Sequence, residues 1–231
     1  MSLRPMLRLI KVWLICQAGS MRWPNNKLLR FVVNSVVVWP MLWLYMFINH
    51  HQAPPSNIVL MPSWVPFWPA FFPVYFAMLL VTWLLPVAIR DAGRFRACLR
   101  ANVCAWLLVM PWWILSPTMM PRPALPEGVW AYVFDYVWTV DLPYNVRPCA
   151  HGIGPVVAAW FFIQERPRWR WLLAGMLGLG LSSIALVWQH RPIDILLGTV
   201  AAGIGIAVGA TVSRREEIGL RNSREVVAST G

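Results

Sequence analysis

The chain has 231 residues, of which 58% are hydrophobic and 13% are charged, and its formal net charge is +11. This composition, which includes sixteen tryptophans, excludes an ordinary soluble domain and indicates an integral membrane protein. The length suffices for one compact bundle of membrane helices.

Residues 1–28 precede the first long apolar run. The stretch from Leu9 to Cys16 is apolar but short and is interrupted by Lys11, and no small-residue cleavage site follows it. A secretory signal peptide would have both a longer apolar core and such a site. We therefore expect an amphipathic segment that lies on the cytoplasmic membrane face.

Six apolar runs follow, each close to the roughly 20 residues that a helix needs to cross a hydrocarbon core of about 30 Å. They lie near residues 29–49, 70–89, 101–117, 149–165, 171–190 and 194–212. The predicted fold class is therefore an all-α membrane protein, with a six transmembrane helix bundle over residues 29–212 and a cytoplasmic tail over 213–231.

Glycines are frequent in the last two runs. A nucleotide-binding loop would need a preceding strand, which these runs do not have. We expect the glycines to let the two membrane helices pack closely. They are Gly175, Gly178, Gly180, Gly198, Gly203, Gly205 and Gly209.

The basic residues predict the orientation, because Lys and Arg concentrate in cytoplasmic loops. Residues 1–30 carry six, the 90–100 loop four, the 165–170 loop three and the tail after 212 four, out of twenty. Both termini are therefore expected in the cytoplasm, with Arg122, Arg147 and Arg191 outside. Since membrane orientation explains most of the basic charge, we expect no nucleic acid partner.

The four cysteines provide no disulfide framework, because only Cys149 lies near the predicted outer surface. Cys149 has no second histidine or carboxylate at helical spacing, so the sequence does not predict a zinc site. We expect neither a metal nor another cofactor.

Three polar stretches map to the predicted outer boundary: residues 121–123, residues 141–151 and residues 183–198. Each contains one of the three outer arginines. The planar guanidinium group suits phosphate oxygens. A basic cluster on this side of the membrane indicates an anionic ligand.

Two histidines in these stretches have the composition of a catalytic pair. His190 precedes Asp194 by four residues, and a carboxylate near one ring nitrogen would raise the basicity of the other. His151 lies at the head of the fourth apolar run. The alternative is that Asp194 and His151 are ordinary helix-end residues and that His190 lies at the interface.

The same residues resemble the three motifs of the type 2 phosphatidic acid phosphatase superfamily. The matching elements are Arg122-Pro123, then Pro148-x-x-His151 preceded by Asp141-x-Pro-Tyr144-Asn145, then Ser183-x6-His190-x3-Asp194 with Gly198. Tyr-Asn before the second motif and Gln189 before the last histidine are most similar to the inositol phosphorylceramide synthase-like branch. The resemblance covers about residues 101–212.

The resemblance implies a metal-independent lipid phosphatase or phosphotransferase that acts on a lipid phosphate or a phospholipid or sphingolipid headgroup. His190 would attack phosphorus and become a phosphohistidine, Asp194 would orient His190, and His151 would be the acid and then the base. Phosphate would be held by Arg122 and Ser183, and by Arg147 and Arg191 on our own inference. Supporting positions would be Asp141, Tyr144, Asn145 and Gln189.

The chain departs from the family pattern at several positions. Leu115 replaces the lysine of the first motif, Cys149 and Ala150 replace a Ser-Leu pair, and Ile184 replaces an arginine, as it also does in the synthase-like branch. A catalytically degenerate protein that binds or translocates a lipid is therefore the alternative function. Cys149 as the nucleophile is a further alternative, since flanking Arg147 would lower a thiol pKa. The lipid, the acceptor and the oligomeric state stay open.

Overall fold

The computed structural model describes residues 26–230, with side chains from 26 to 216 and at 218. The interfacial segment expected before Lys27 lies outside the described residues. Within them the chain forms seven α-helices. They are α1 (Lys27–His51), α2 (Phe72–Leu84), α3 (Ala92–Leu115), α4 (Val129–Val140), α5 (Ile153–Glu165), α6 (Arg170–Leu186) and α7 (Pro192–Thr230).

Four of the described helices are long and apolar enough to cross a membrane: Lys27–His51, Ala92–Leu115, Pro167–Leu186 and Pro192–Glu216. Two apolar helices are shorter, Pro69–Leu84 and Ile153–Glu165. All six correspond to the apolar runs of the sequence. The structure thus confirms an all-α protein with helices of membrane-spanning length, and six crossings remain a prediction.

Large apolar side chains lie exposed along these helices, as expected of surfaces that face lipid. Examples are Trp39 and Trp43 on α1, Leu107 and Leu115 on α3, Leu172 and Leu179 on α6, and Val200 and Ile204 on α7.

Helix α3 occupies the centre of the bundle. Its side chains Phe95, Val109 and Trp113 are buried together with residues of α1, α5 and α7. Helix α7 lies directly against α3, because a Cβ at Gly205 would come within 2.3 Å of the Ala101 carbonyl oxygen. Near the first residues of α3, Arg100 and Glu216 join the two helices through an ion pair of 2.6 Å.

The prediction for the glycines is confirmed in part. Gly205 and Gly209 approach α3, and Gly180 approaches Met78 of α2, so they do permit close packing, but not between the last two helices as expected. For Gly175, Gly178 and Gly203 the prediction is wrong, since a Cβ there would meet nothing within 4 Å.

Helix α4 is an element that the sequence analysis assigned to a loop. Its residues Trp130, Phe134 and Trp138 recur every four positions, which places them on one helical face. Phe134 is fully buried, and the two tryptophans pack against the same cluster. This spacing of aromatic residues is the sequence signal that could have predicted α4. Helix α7 also continues through residues 213–230, which were predicted to form a tail.

Backbone hydrogen bonds join three connections at one end of the bundle: those between α1 and α2, between α3 and α4, and between α4 and α5. The N–H of Val59 donates to Met119 at 2.8 Å, and the N–H of Met120 donates to Pro143 at 3.0 Å. Met119 forms isolated bridges with Ile58 and with Tyr144. These contacts hold the connection that carries Arg122 against the connection that carries the Asp141–His151 stretch.

Candidate active site

The two histidines meet at the end of the bundle where these connections lie. The Nδ1 atom of His151 lies 2.7 Å from Nε2 of His190, although the residues are 39 positions apart. His151 occupies the turn before α5, and His190 occupies the turn between α6 and α7. His190 is 3% exposed, so the contact is shielded from solvent.

The hydrogen-bond partners assign the tautomers of this pair. Nδ1 of His190 lies 2.7 Å from the carbonyl oxygen of Val146, which can only accept, so this nitrogen carries a proton. In neutral His190 the Nε2 atom then has the free electron pair. His151 therefore donates its Nδ1–H to His190. The nitrogen that would attack phosphorus is thus covered by the proposed acid.

Asp141 is the carboxylate closest to this pair. Its Oδ2 lies 3.8 Å from Nε2 of His151. Its Oδ1 accepts a hydrogen bond of 2.6 Å from the Tyr45 hydroxyl of α1. A carboxylate on this side of the ring stabilises the protonated form of His151. Asp141 was expected only as a supporting residue, and Tyr45 was not predicted at all.

The Asp194 carboxylate forms no hydrogen bond or ion pair with His190, which corrects the expected orienting role. Its carboxylate is fully buried and accepts from Nε of Arg147 at 3.1 Å and from Nε of Arg191 at 2.8 Å. The i, i+4 spacing did not bring the residues together because α7 begins at Pro192, so His190 precedes the helix. The Val146 carbonyl takes the position at His190 that was assigned to Asp194.

The two arginines that bind Asp194 differ in how many of their N–H groups remain available to a ligand. Arg191 uses Nε and one terminal nitrogen on Asp194, and its side chain is 12% exposed. Arg147 uses only Nε, its side chain is 37% exposed, and no described residue accepts from its terminal nitrogens. Asp194 therefore fixes the Arg147 side chain while leaving both terminal nitrogens, with four N–H donors, for a ligand.

Arg122 connects the three polar stretches. Its terminal nitrogens donate to the carbonyl oxygens of Trp188 at 2.7 Å and of Asp141 at 3.2 Å. Its Nε is buried without a partner among the described residues. Burial lowers the pKa of Arg122, and the Asp141 charge raises it in part. At least part of its role is therefore to hold the loops, beside any contact with phosphate.

Cys149 lies under the histidines. Its N–H donates to the Asp194 carbonyl at 3.0 Å, and its carbonyl packs on α7, where a Cβ at Gly198 would lie 2.0 Å from the Cys149 oxygen. Its Sγ is 4.0 Å from Nδ1 of His151. Burial raises the pKa of the Cys149 thiol to about 12, so the thiol form prevails and the site does not favour Cys149 as the nucleophile.

Cys149, His151 and His190 together form a group able to hold a metal ion, with ligand atoms within 4.8 Å of one another. The sequence analysis missed this group because it considered helical spacing alone. The histidine nitrogens are at hydrogen-bond distance, whereas two ligands of a tetrahedral Zn²⁺ are roughly 3.3 Å apart. Binding of a metal would therefore require the pair to separate and the thiol to lose its proton.

The remaining expected residues lie around the site with different contacts. Ser183 is buried and donates to the Gly180 carbonyl at 2.6 Å within α6, so its hydroxyl is already engaged. Asn145 has a positive φ of 57° and accepts from Gln52 at 2.7 Å. Gln189 is buried with neither amide atom partnered among the described residues. Tyr144 contributes the backbone bridge to Met119.

Asn49 is a second residue of α1 that the sequence analysis missed. Its side chain donates to the carbonyl oxygens of Leu142 and Tyr144, both at 3.2 Å, and accepts from the Leu142 N–H. It thereby holds the loop that carries Asp141. A buried amide near the end of an apolar helix was the available signal, because such groups need partners.

Burial favours the neutral form of both histidines. Burial lowers the pKa of His190 well below its ordinary value, and the neighbouring His151 lowers it further. Burial also lowers the pKa of His151, and the Asp141 charge opposes that effect. A neutral imidazole with a free Nε2 pair is the form that a nucleophile requires.

Comparisons of the chain with protein-family models, with curated proteins and with solved structures find no match.

Proposed function

We propose that this protein is a membrane-embedded phosphatase or phosphotransferase that acts on a lipid phosphate or phospholipid headgroup through a phosphohistidine. The observation that carries this proposal is the contact of 2.7 Å between His151 and His190. A buried nucleophile with a fixed tautomer, next to a second imidazole and several guanidinium groups, suits phosphoryl transfer.

In the proposed reaction the substrate phosphate enters between the two rings and separates them. The Nε2 pair of His190 attacks phosphorus, the bond to the lipid oxygen breaks, and His151 gives that oxygen a proton. His151 then removes a proton from water or an acceptor alcohol, whose oxygen attacks phosphorus and breaks the P–N bond. The products are a lipid alcohol and either inorganic phosphate or a new phosphate ester.

Charge at the site favours the required protonation states. His151 must be protonated to act as an acid, and both an incoming phosphate anion and Asp141 stabilise that form. The terminal N–H groups of Arg147 are the donors best placed to receive phosphate oxygens, since Asp194 holds only the Nε of this side chain. Phosphoryl transfer requires mainly positioning and charge neutralisation, which these residues supply.

We further propose six membrane crossings, with both termini in the cytoplasm and the histidines at the outer face of a cytoplasmic membrane. The distribution of basic residues and the exposed apolar helix surfaces support this arrangement.

Thiol labelling of introduced cysteines tests this topology. Native Cys149 is buried and therefore unsuited to labelling. Tyr132→Cys, on exposed α4, should react with an impermeant thiol reagent in intact cells. Gln164→Cys, at the end of α5, should react only after permeabilisation, and the reverse result would invert the topology.

The test of the chemistry is rapid acid or alkaline quench of the purified protein with a radiolabelled lipid phosphate. We expect an acid-labile, alkali-stable phosphoenzyme in wild type and none in His190→Ala. His50→Ala is the matched control, because that exposed histidine lies at the end of α1 and contacts only the Val140 carbonyl. Turnover by His190→Ala would defeat the proposal.

A lipid-binding protein without turnover is the second candidate function. The observation in its favour is that Asp194 engages both Arg147 and Arg191, which leaves fewer cationic groups for phosphate than the sequence analysis expected. Saturable binding of a lipid phosphate with no phosphoenzyme and no product in wild type would support this candidate instead.

A further inference from the structure

We propose that a cavity at the opposite end of the bundle binds the phosphate headgroup of an anionic membrane lipid. The cavity has a volume of about 520 Å³ and lies between the start of α1, the turn before α3 and the connection from α5 to α6. Among the residues that the structure describes, five basic side chains and no acidic one line the cavity. They are Lys27, Arg30, Arg90, Arg166 and Arg168.

Most of this positive charge is not paired with a carboxylate among the described residues. Within the described part of the chain, Lys27, Arg90, Arg166 and Arg168 form no ion pair with a carboxylate. Arg30 is buried, and its guanidinium donates to the backbone oxygens of Ile89 and Arg90. Concentrated positive charge around a cavity attracts an anionic ligand.

The acidic residues of the same region are engaged elsewhere. Glu165 accepts the backbone N–H groups of Arg90 and Asp91, at 2.9 and 2.7 Å. Asp91 caps α3 by accepting the N–H of Arg94 at 2.7 Å. These contacts fix the shape of the cavity wall and keep both carboxylates on backbone donors.

The cavity also has an apolar wall, which favours a lipid over a free anion. Phe162 and Trp169 line it together with Val87 and Ala88. The Arg166 guanidinium lies 5.9 Å from the Phe162 ring centroid, and that of Arg168 lies 5.8 Å from the Trp169 ring centroid. Cationic groups beside aromatic and aliphatic surface match a phosphate that is joined to a glycerol and acyl chains.

This cavity is distinct from the histidine site. Helix α5 begins beside His151 and ends at Glu165, next to Arg166, so it spans roughly 20 Å between the two sites. If the histidines face outward, the cavity faces the cytoplasmic leaflet, where anionic lipids attract basic groups. Basic residues that serve only to set membrane orientation do not require a shared cavity with an aromatic wall.

The experiment measures thermal unfolding of the full chain in detergent, through its tryptophan fluorescence, during titration with short-chain phosphatidylglycerol or phosphatidylcholine. We expect phosphatidylglycerol alone to stabilise the protein. The double variant Arg90→Gln/Arg168→Gln should weaken the apparent affinity by roughly tenfold or more, since each loses a charged hydrogen-bond donor. Arg214→Gln/Arg215→Gln, exposed on α7, is the matched control and should respond like wild type.

Three further arms separate the explanations. Glycerol 3-phosphate at equal phosphate concentration should not stabilise the protein, and equal stabilisation would mean a site for free anions rather than lipid. His190→Ala should keep the phosphatidylglycerol response, which separates this cavity from substrate binding.

A photoactivatable phosphatidylglycerol should crosslink to the peptide around Phe162 and Trp169 in wild type. An unchanged response in the double variant, or crosslinking elsewhere, would overturn the proposal even if the double variant folds poorly.

Discussion

Asp194 accepts a hydrogen bond of 3.1 Å from Arg147, a residue 47 positions earlier in the chain. The contact joins the start of α7 to the stretch that ends at His151. With Arg191 as the second donor, the buried carboxylate orients two guanidinium groups of the site, while His190 hydrogen-bonds to the Val146 carbonyl instead.

Replacement of Asp194 should therefore act on substrate binding. Asp194→Asn leaves both arginines without their anion, so we expect a loss of about 1–3 kcal/mol in stability and a higher KM for the lipid phosphate. The acid limb of the pH profile should stay in place, because His190 bonds Val146. The limb is measured by steady-state kinetics. A shift of it by a full pH unit would indicate that Asp194 does orient His190.

The loss of activity on replacement of His151 should depend on the leaving group of the substrate. Protonation of a lipid alkoxide contributes roughly 10²–10⁴-fold, so His151→Ala should lose the lipid reaction by that factor. An activated aryl phosphate needs no proton, so the variant should still form the phosphoenzyme, which persists because the base is missing. Quench kinetics with both substrates check this. Equal losses on the two substrates would contradict the acid role.

Asp141 should set the basic limb of the pH profile. The carboxylate raises the pKa of His151, so Asp141→Asn should lower it and shift the loss of activity at high pH to lower pH. The acid limb in both proteins should lie below the ordinary histidine value of 6.5, because burial lowers the pKa of His190. Asp135→Asn, on the exposed face of α4, is the control and should leave both limbs unchanged.

Gly198 should be required for the position of the catalytic loop. An added Cβ would lie 2.0 Å from the Cys149 oxygen, so Gly198→Ala must displace the loop or α7. We expect a cost of about 1–3 kcal/mol and a loss of activity of roughly 10²-fold. Gly203→Ala is the matched control, since a Cβ there meets nothing within 4 Å. Thermal unfolding and turnover of both variants measure the difference.

Metal ions should inhibit rather than activate. The proposed reaction uses only side chains, so a chelator should leave activity unchanged. Added Zn²⁺ should inhibit reversibly by binding to Cys149, His151 and His190, which breaks the contact between the two histidine rings, and Cys149→Ser should weaken that inhibition at least roughly tenfold. Activity restored only by a divalent ion after chelation would defeat the mechanism.

Local sequence patterns predicted many of the site residues, but they did not predict the contacts between those residues. His151, His190 and Asp141 were predicted to lie at one membrane boundary, and the structure brings the three side chains together at one end of the bundle. The sequence analysis assigned Asp194 to His190 from their spacing, and it did not identify Tyr45 and Asn49. Both misses concern partners on another segment, since spacing along the chain reports only contacts within one helix.

The sequence by itself determined the membrane class, the positions of the six apolar helices and the three polar stretches. These follow from composition and hydrophobic run length, which are local properties of the chain. Only the tertiary structure decided which carboxylate pairs with which arginine or histidine. It also decided that α7 packs on α3 and that Cys149 lies next to the histidine pair. Such pairings depend on the close approach of segments distant in the chain, as where Gly198 allows the Cys149 carbonyl to rest on α7.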